Sequence, residues 1–276
     1  MHQPLLKRAA ICVAVLTLNL LPLSSNGAVA EDLRLAIQPV LSQARTQTVF
    51  EPLARYLEEK TGRKVKILTM PNFLAYWDLV RRPGQYDLSF DAAHFTDYRA
   101  HKENFEVLAK IPDFVSYSVV VRQENLVFDP SELVAKTVAT LGAPSIGAAR
   151  LNAMFPNPMR QPAMIEVPSS EAGMKMLLDG KVYAAILPTP IVSQYMINQA
   201  PIAVVSTTEP IPHIALSASR ILDAKTRRII RQALIDASKT EEGREMLHKI
   251  GFPKFDPANP KIYQGQARIL KEYWGY

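Results

Sequence analysis

Gly84-Gln85-Tyr86-Asp87-Leu88 and Gly180-Lys181-Val182-Tyr183-Ala184 are one event written twice: a glycine closes an apolar helix and a buried strand follows within two residues. Upstream of the first copy, residues 33–37 alternate as a strand. Val49, Phe50, Leu53 and Leu57 then recur on one helical face. Thr48 with Glu51 reads as a capping box, Pro52 fits the first turn, and Gly62 stops the helix. A strand at 65–70, a helix from 73 to about 82 and a strand at 86–90 complete a β-α-β-α-β unit. The second copy repeats that order: strand 137–141, helix 146–154, strand 164–167, helix 170–178 with Met174, Leu177 and Leu178 inward, strand 183–187. Two such units predict an α/β chain in two lobes, each a mostly parallel sheet flanked by helices, rather than one long sheet.

The tail has no third unit. It reads as a strand at 212–217, a helix at 223–238 burying Ile229, Ile230, Ala233, Leu234 and Ala237, a short helix at 241–250 and a last one at 261–273. It returns to complete the first lobe. The expected division is residues 1–30 as a leader, 31–115 and 212–276 as the first lobe, and 116–211 as the second. Crossings at 114–118 and 206–212 form a two-strand hinge.

The leader is read from Lys7 and Arg8, an apolar run over 9–23, helix breakers from Pro22 to Gly27, and the small-x-small site Ala28-Val29-Ala30. Fifteen or so apolar residues fall short of the roughly 20 that cross a bilayer, so export to the periplasm with cleavage after Ala30 is expected. Cys12 is the sole cysteine, and the chain beyond the leader offers no disulfide and no thiolate for catalysis or metal. Without Lys7 and Arg8, 30 basic side chains face 26 acidic ones. Those basic residues are scattered and not interleaved with aromatics, which argues against nucleic acid and leaves room for an anionic ligand.

Open parallel sheets bind ligands beyond the carboxyl ends of their strands, where loops and helix starts gather. Those ends are Gln38-Pro39, Pro71-Asn72 and Asp91-Ala92-Ala93-His94 in the first unit. In the second they are the loop Gly142 to Gly147, Pro168-Ser169-Ser170 and Pro188-Thr189-Pro190. The loop Gly142-Ala143-Pro144-Ser145-Ile146-Gly147 opens a helix, so its N–H groups and the positive helix end suit an anion. Ser145 either adds a hydroxyl donor there or only caps its own helix, and Ser169-Ser170 poses the same choice. His94 and His213 fall at cleft positions, although a lone histidine is as often core or surface. Tyr117 and Tyr76 are candidate walls, Tyr76 equally a core residue. Asp91, His94, Asp97 and His101 have a spacing that permits a metal without specifying one, and neither metal nor cofactor is expected. The candidate contact set is Gln38, Asp91, His94, Tyr117, Ser145, Ile146, Gly147, Thr189 and His213. No Gly-x-Ser-x-Gly, His-Glu-x-x-His, P-loop or Gly-x-Gly-x-x-Gly follows a strand, so binding without catalysis is the expectation.

The chain resembles the phosphate/phosphite/phosphonate-binding family of ABC-transporter periplasmic proteins, which have the type II binding-protein fold. The resemblance is carried by Leu33-Arg34-Leu35-Ala36-Ile37-Gln38-Pro39, by Phe50-Glu51-Pro52-Leu53-Ala54-Arg55-Tyr56-Leu57 with Gly62, and by Tyr86-Asp87-Leu88 after Gly84. Ser116-Tyr117-Ser118-Val119-Val120-Val121 and Gly180 before Tyr183-Ala184-Ala185 extend it over 33–270. It implies a monomeric receptor that closes on a small anionic or polar ligand and delivers it to an ABC permease. A receptor reporting to a membrane histidine kinase has the same fold and stays open at this point. In the family the second-lobe loop presents several hydroxyls ahead of a glycine; Pro144-Ser145-Ile146-Gly147 keeps the glycine and one hydroxyl. The implied ligand is therefore a phosphonate, another oxyanion or a small polar molecule.

Overall fold

The computed structural model describes residues 31–82, 84–125 and 127–274; the leader read in 1–30, with its cut after Ala30, lies outside them. The first repeat forms β1 (Leu33–Ile37), α1 (Gln43–Thr61), β2 (Val65–Thr69), α2 (Phe73–Val80) and β3 (Leu88–Asp91). α3 (Ala93–Lys102), β4 (Phe105–Lys110) and β5 (Phe114–Val115) follow. β6 (Tyr117–Arg122) then leads into the second repeat: β7 (Thr137–Thr140), α4 (Ile146–Met154), β8 (Ala163–Glu166), α5 (Ser170–Leu178) and β9 (Ala184–Pro188). α6 (Thr189–Ile197), β10 (Ile202–Thr207) and β11 (Ile211–Pro212) bring the chain back. β12 (Ala215–Ser219), α7 (Ala224–Asp236), α8 (Glu241–Ile250), β13 (Asp256–Pro257) and α9 (Arg268–Trp274) end it.

Two separate sheets result, in the orders β13-β4-β12-β3-β1-β2 and β10-β6-β9-β7-β8. Each repeat supplies a parallel three-strand core, β2-β1-β3 and β8-β7-β9. The added strands β12, β4 and β13, and β6 and β10, all enter antiparallel. The sheets are thus mixed, where the repeats alone predict mostly parallel ones, because strands contributed from outside a β-α-β crossover are free to run either way. Between the sheets the chain passes out and back through a small ribbon, Val115 opposite Ile211 and Phe114 opposite Pro212.

In the first sheet Leu33, Leu35 and Ile37 of β1 bury against Phe50, Leu53 and Leu57 of α1 and against Ile230, Leu234, Leu247 and Ile250 of α7 and α8. The alternate residue Ala36 faces the other way, into an aromatic layer of Phe73, Tyr76, Trp77 and Phe95 from α2 and α3. In the second sheet Val119, Val121, Val138 and Ile186 pack on Ile146 and Leu151 of α4, and Ala139, Ala185 and Leu187 on Met174 and Leu177 of α5. Gly180 holds a φ of 72° directly after Asp179, the left-handed turn that lets α5 stop and a strand begin, whereas Gly84, with φ of 79°, lies three residues beyond Arg81, where α2 has already ended.

Three expectations change. α1 starts at Gln43, with the Ser42 hydroxyl accepting from Arg45 N at 3.3 Å, so Pro52 sits inside the helix and Thr48 does not cap it. The earlier turns bury Thr46 and extend the face of Phe50, and packing on that face outweighs the roughly 3 kcal/mol of an interior proline. The strand at 212–217 is split into β11 and β12, and the last helix at 261–273 becomes a 3-10 turn, Pro260–Tyr263, followed by α9. α3 has no counterpart in the periodicity: its buried residues include His94, Thr96, Asp97 and Arg99, so polar side chains conceal the helical repeat.

Gly243 in α8 has a space requirement of its own. A Cβ there would lie 2.2 Å from the Ala237 carbonyl oxygen and 2.6 Å from its Cα, both backbone. Glycine to alanine inside a helix ordinarily stabilises by roughly 0.5–1 kcal/mol. Gly243→Ala is expected to destabilise instead, by roughly 1–3 kcal/mol as overpacking does, seen as a lowered urea midpoint. An unchanged or raised midpoint would show that α8 has slack against the 237–239 turn.

Candidate functional site

The carboxyl ends of β1, β3, β7 and β9 carry the residues picked out by the sequence. Gln38, just past β1, accepts the Ala92 N–H on its side-chain oxygen at 3.0 Å, while its own N–H donates to Phe90 O at 3.4 Å. Gln38 thereby fixes the entry into α3. Ala92 at the α3 N-cap provides no side-chain acceptor, and neither does Pro188 at the start of α6. Both helices begin with donors that no side-chain cap serves. α4 and α5 differ: Ser145 Oγ accepts from Ala148 N at 3.2 Å and Ser169 Oγ from Ala172 N at 3.1 Å. The two serines are N-caps, and each hydroxyl still has its own hydrogen to donate.

His94 is fully buried in the first turn of α3. Its Nε2 lies 3.0 Å from the carbonyl oxygen of Pro144, in the loop between β7 and α4. The ends of β3 and β7 therefore meet directly, one from each sheet. Burial pushes the His94 pKa down to about 3, against the Pro144 hydrogen bond that raises it, so the ring is neutral at pH 7. A neutral ring facing a carbonyl through Nε2 must carry its hydrogen there, which leaves Nδ1 as an acceptor. That Nδ1 is buried without a protein partner.

Tyr117 opens β6, and its ring bounds Gly147: a Cβ on that glycine would sit 3.4 Å from the ring. Ile146 is buried beside it in the same cluster. Burial raises the Tyr117 phenol well above its ordinary value, with the Arg150 charge working the other way. Successive strand residues face opposite sides. Ser118 accordingly turns toward the start of α6, its Oγ 2.9 Å from Thr189 Oγ1 and 3.3 Å from Thr207 Oγ1.

Asp91 and His213 are placed differently from the expectation. Asp91 is buried beneath α3, paired with the guanidinium of Arg99 and accepting from the Tyr76 hydroxyl. Tyr76 belongs to that core and forms no cleft wall. Burial pushes the Asp91 carboxyl above its usual range, while Arg99, Tyr76 and Thr96 pull it back. Burial also works to lower Arg99, but the Asp91 charge overrides it and holds the guanidinium above its ordinary value. His213 accepts from its neighbour Ile214 N at 2.8 Å, packs edge-on to Phe252 and takes the Tyr263 hydroxyl on its carbonyl at 3.0 Å. Its contacts are with the first sheet and the tail. Asp97 accepts Ala267 N at 2.8 Å and lies 2.9 Å from His101 Nδ1. No group of three or more metal-ligating side chains converges among the described residues.

Sequence reasoning missed the Pro144 carbonyl, the Ser118 and Thr207 hydroxyls, and Thr140 at the end of β7, whose Oγ1 is buried without a partner. Strand alternation was the available signal for Ser118. A backbone carbonyl leaves none.

Two α/β halves joined by a two-strand ribbon, with helix starts and strand ends from each meeting at His94 and Pro144, define a solute-binding protein of the two-lobed type. Residues 35–263 match the family described as ABC transporter, phosphonate, periplasmic substrate-binding protein, and the chain belongs to that family. It is a solute-binding component of an ABC importer and works with a permease. No curated protein matches it. Among solved structures, PhnD1 from Prochlorococcus marinus in complex with methylphosphonate superposes with a TM-score of 0.76 at 14% identity, covering 88% of this chain and 98% of that one. A binding-protein component of an ABC phosphonate transporter from Pseudomonas aeruginosa gives 0.70 at 14%, with 88% and 85% covered. XAC2383 from Xanthomonas citri bound to ATP gives 0.70 at 14%, with 88% and 100% covered. These place the fold as the type II two-lobed one. No helix among the described residues is long and apolar enough to cross a membrane.

Proposed function

We propose that this chain is exported with its leader cut after Ala30, acts in the periplasm as a monomer, and closes on a small oxyanion without turning it over. The lobes are residues 31–115 with 212–276, and 116–211; the β5–β11 ribbon is the hinge. The ligand is a phosphonate-like oxyanion with a protonated oxygen or another O–H or N–H group. Docking is on a permease, as the family description implies, rather than on a histidine kinase.

The observation that carries this reading is the neutral, buried His94, bonded across to Pro144 and left with an unpaired Nδ1 acceptor. A ligand seated there meets that acceptor, the hydroxyl hydrogen of Ser145, the N–H groups at Ile146 and Gly147 and the uncapped starts of α3 and α6. Tyr117 and Thr189 line its sides. Gln38 and Asp91 act from behind, by positioning α3. Neutral dipoles at helix starts hold oxyanions well, because the donors are fixed in advance. Charge-assisted hydrogen bonds contribute roughly 1.5–3 kcal/mol each.

Methylphosphonate, phosphite, phosphate and sulfate, each titrated into the chain from residue 31, provide the test by thermal shift. A ligand at 100 times its dissociation constant adds roughly 2.7 kcal/mol of stability. Ser145→Ala and His94→Ala are each expected to weaken binding of the responding anion about tenfold or more. A panel with no response, or two variants with unchanged affinity, would refute this site.

A further inference from the structure

The two halves meet a second time, through elements other than those that carry His94 and Pro144. Past β1 the chain turns through Val40 and Ser42 into α1; in the other half Ser169 and Ser170 lead into α5. The Ser170 N–H donates to the Val40 carbonyl oxygen at 2.8 Å, and the Ser42 N–H donates to Glu171 Oε2 at 3.2 Å. One hydrogen bond thus runs each way between the same two turns. Val40 also packs against the apolar cluster that contains Val167, Met174 and Leu177 of the second half.

Glu171 is matched to this place by charge. It is the acid in the first turn of α5, while the first turn of α1 has none. Its carboxylate reaches across to the Ser42 N–H at the start of α1, the end of a helix that favours negative charge. The Ser42 hydroxyl is engaged within α1, accepting from Arg45 N, so the bond to Glu171 uses the backbone alone. Ser170 is fully buried where it meets Val40, and a buried backbone donor needs its partner. Both bonds exist only while the halves are together, so whatever they contribute counts wholly toward closure.

We propose that this pair of turns is a latch that holds the two halves together before any ligand arrives, and that Glu171 sets how much of the unliganded chain is closed. The latch rests on the reading of the chain as a two-lobed clamp, but neither on the identity of the ligand nor on His94. Its functional consequence follows from population arithmetic. A ligand held by the closed form has an apparent affinity that falls by the same factor as the closed fraction. Glu171 therefore tunes affinity without touching the ligand.

The chain from residue 31 has no cysteine, so Gln47→Cys in α1 and Ala163→Cys in β8, both exposed, can carry a pair of spin labels. The distance between them is read by electron double resonance, without ligand and with excess methylphosphonate. The doubly labelled chain is expected to show a short-distance population without ligand. Glu171→Lys, which sets a cation against the start of α1, should cut that population roughly threefold or more in favour of longer distances, and Glu171→Gln should cut it less. Ser170→Pro places proline at the first helical position, where it is well tolerated, and removes the donor to Val40; it should cut the population too. Unchanged circular dichroism checks that α5 is intact in each variant. No short-distance population without ligand, or the same population in all three variants, would overturn the latch. Distances that move with methylphosphonate but not with Glu171→Lys would remove the latch and leave the clamp standing, and distances that move with neither would remove both.

Discussion

Arg99→Met is expected to destabilise the folded chain by roughly 3–5 kcal/mol, the cost of leaving a buried charge without its partner. Arg99 and Asp91 are both fully buried, and the guanidinium also lies over the rings of Tyr86 and Phe105, 5.8 and 5.6 Å from their centres. Methionine keeps much of the packing and removes the charge, so the loss is electrostatic. The stranded Asp91 must then take a proton or admit water. Asp91→Asn combined with Arg99→Met is expected to recover most of the loss, because an amide tolerates burial with the Tyr76 hydroxyl far better than a carboxylate does. Urea unfolding of the three variants decides the matter. An equal loss in single and double variants would show that Arg99 acts by shape alone. The pair also has a functional side: it anchors α3 to the sheet, and α3 carries His94.

Stability is expected to fall as pH drops from about 6.5 toward 4, with His94 responsible for about half of the histidine contribution. In the folded chain burial holds His94 at about 3 and His213 at about 4, the latter also repelled by Lys110, against an ordinary value of 6.5. Below 6.5 the unfolded chain binds protons that the folded chain refuses. Each neutral ring therefore contributes stability that is complete above 6.5 and lost as pH falls through the folded values. The slope approaches about 1.4 kcal/mol per pH unit for each ring, on the order of 5 kcal/mol for His94 over its whole window. Asp91 works with the opposite sign from its ordinary 3.8 upward, so a difference between variants is the clean measurement. His94→Gln keeps a donor toward Pro144 and cannot titrate. Its urea midpoint should fall less steeply from pH 6 to 4 than that of the unaltered chain. Parallel profiles would mean that His94 is reached by water in solution.

The two repeats and the glycine after α5 were legible in the amino-acid order, because each follows from hydrophobic period and local turn chemistry. α4, α5 and α8 fall where the pattern puts them. So do the carboxyl ends of the strands, since a parallel β-α-β unit gathers them on one edge whatever else the chain does. α3 escaped because its inner face is polar, made acceptable by partners outside the helix, Asp91 at the end of β3 for Arg99 and the distant Ala267 for Asp97. The same reason separates the candidate residues. Sequence could name His94, Ser145 and Asp91 as groups at strand ends, but each has two possible faces to turn. Long-range contact decided that His94 meets Pro144; the cap that Ser145 makes is local to its own helix, and Asp91 is enclosed by Arg99 of the helix that follows its strand. Local sequence sets which backbone a segment adopts; a polar side chain's role is set by which other segment buries it, and that pairing exists only once the chain has folded.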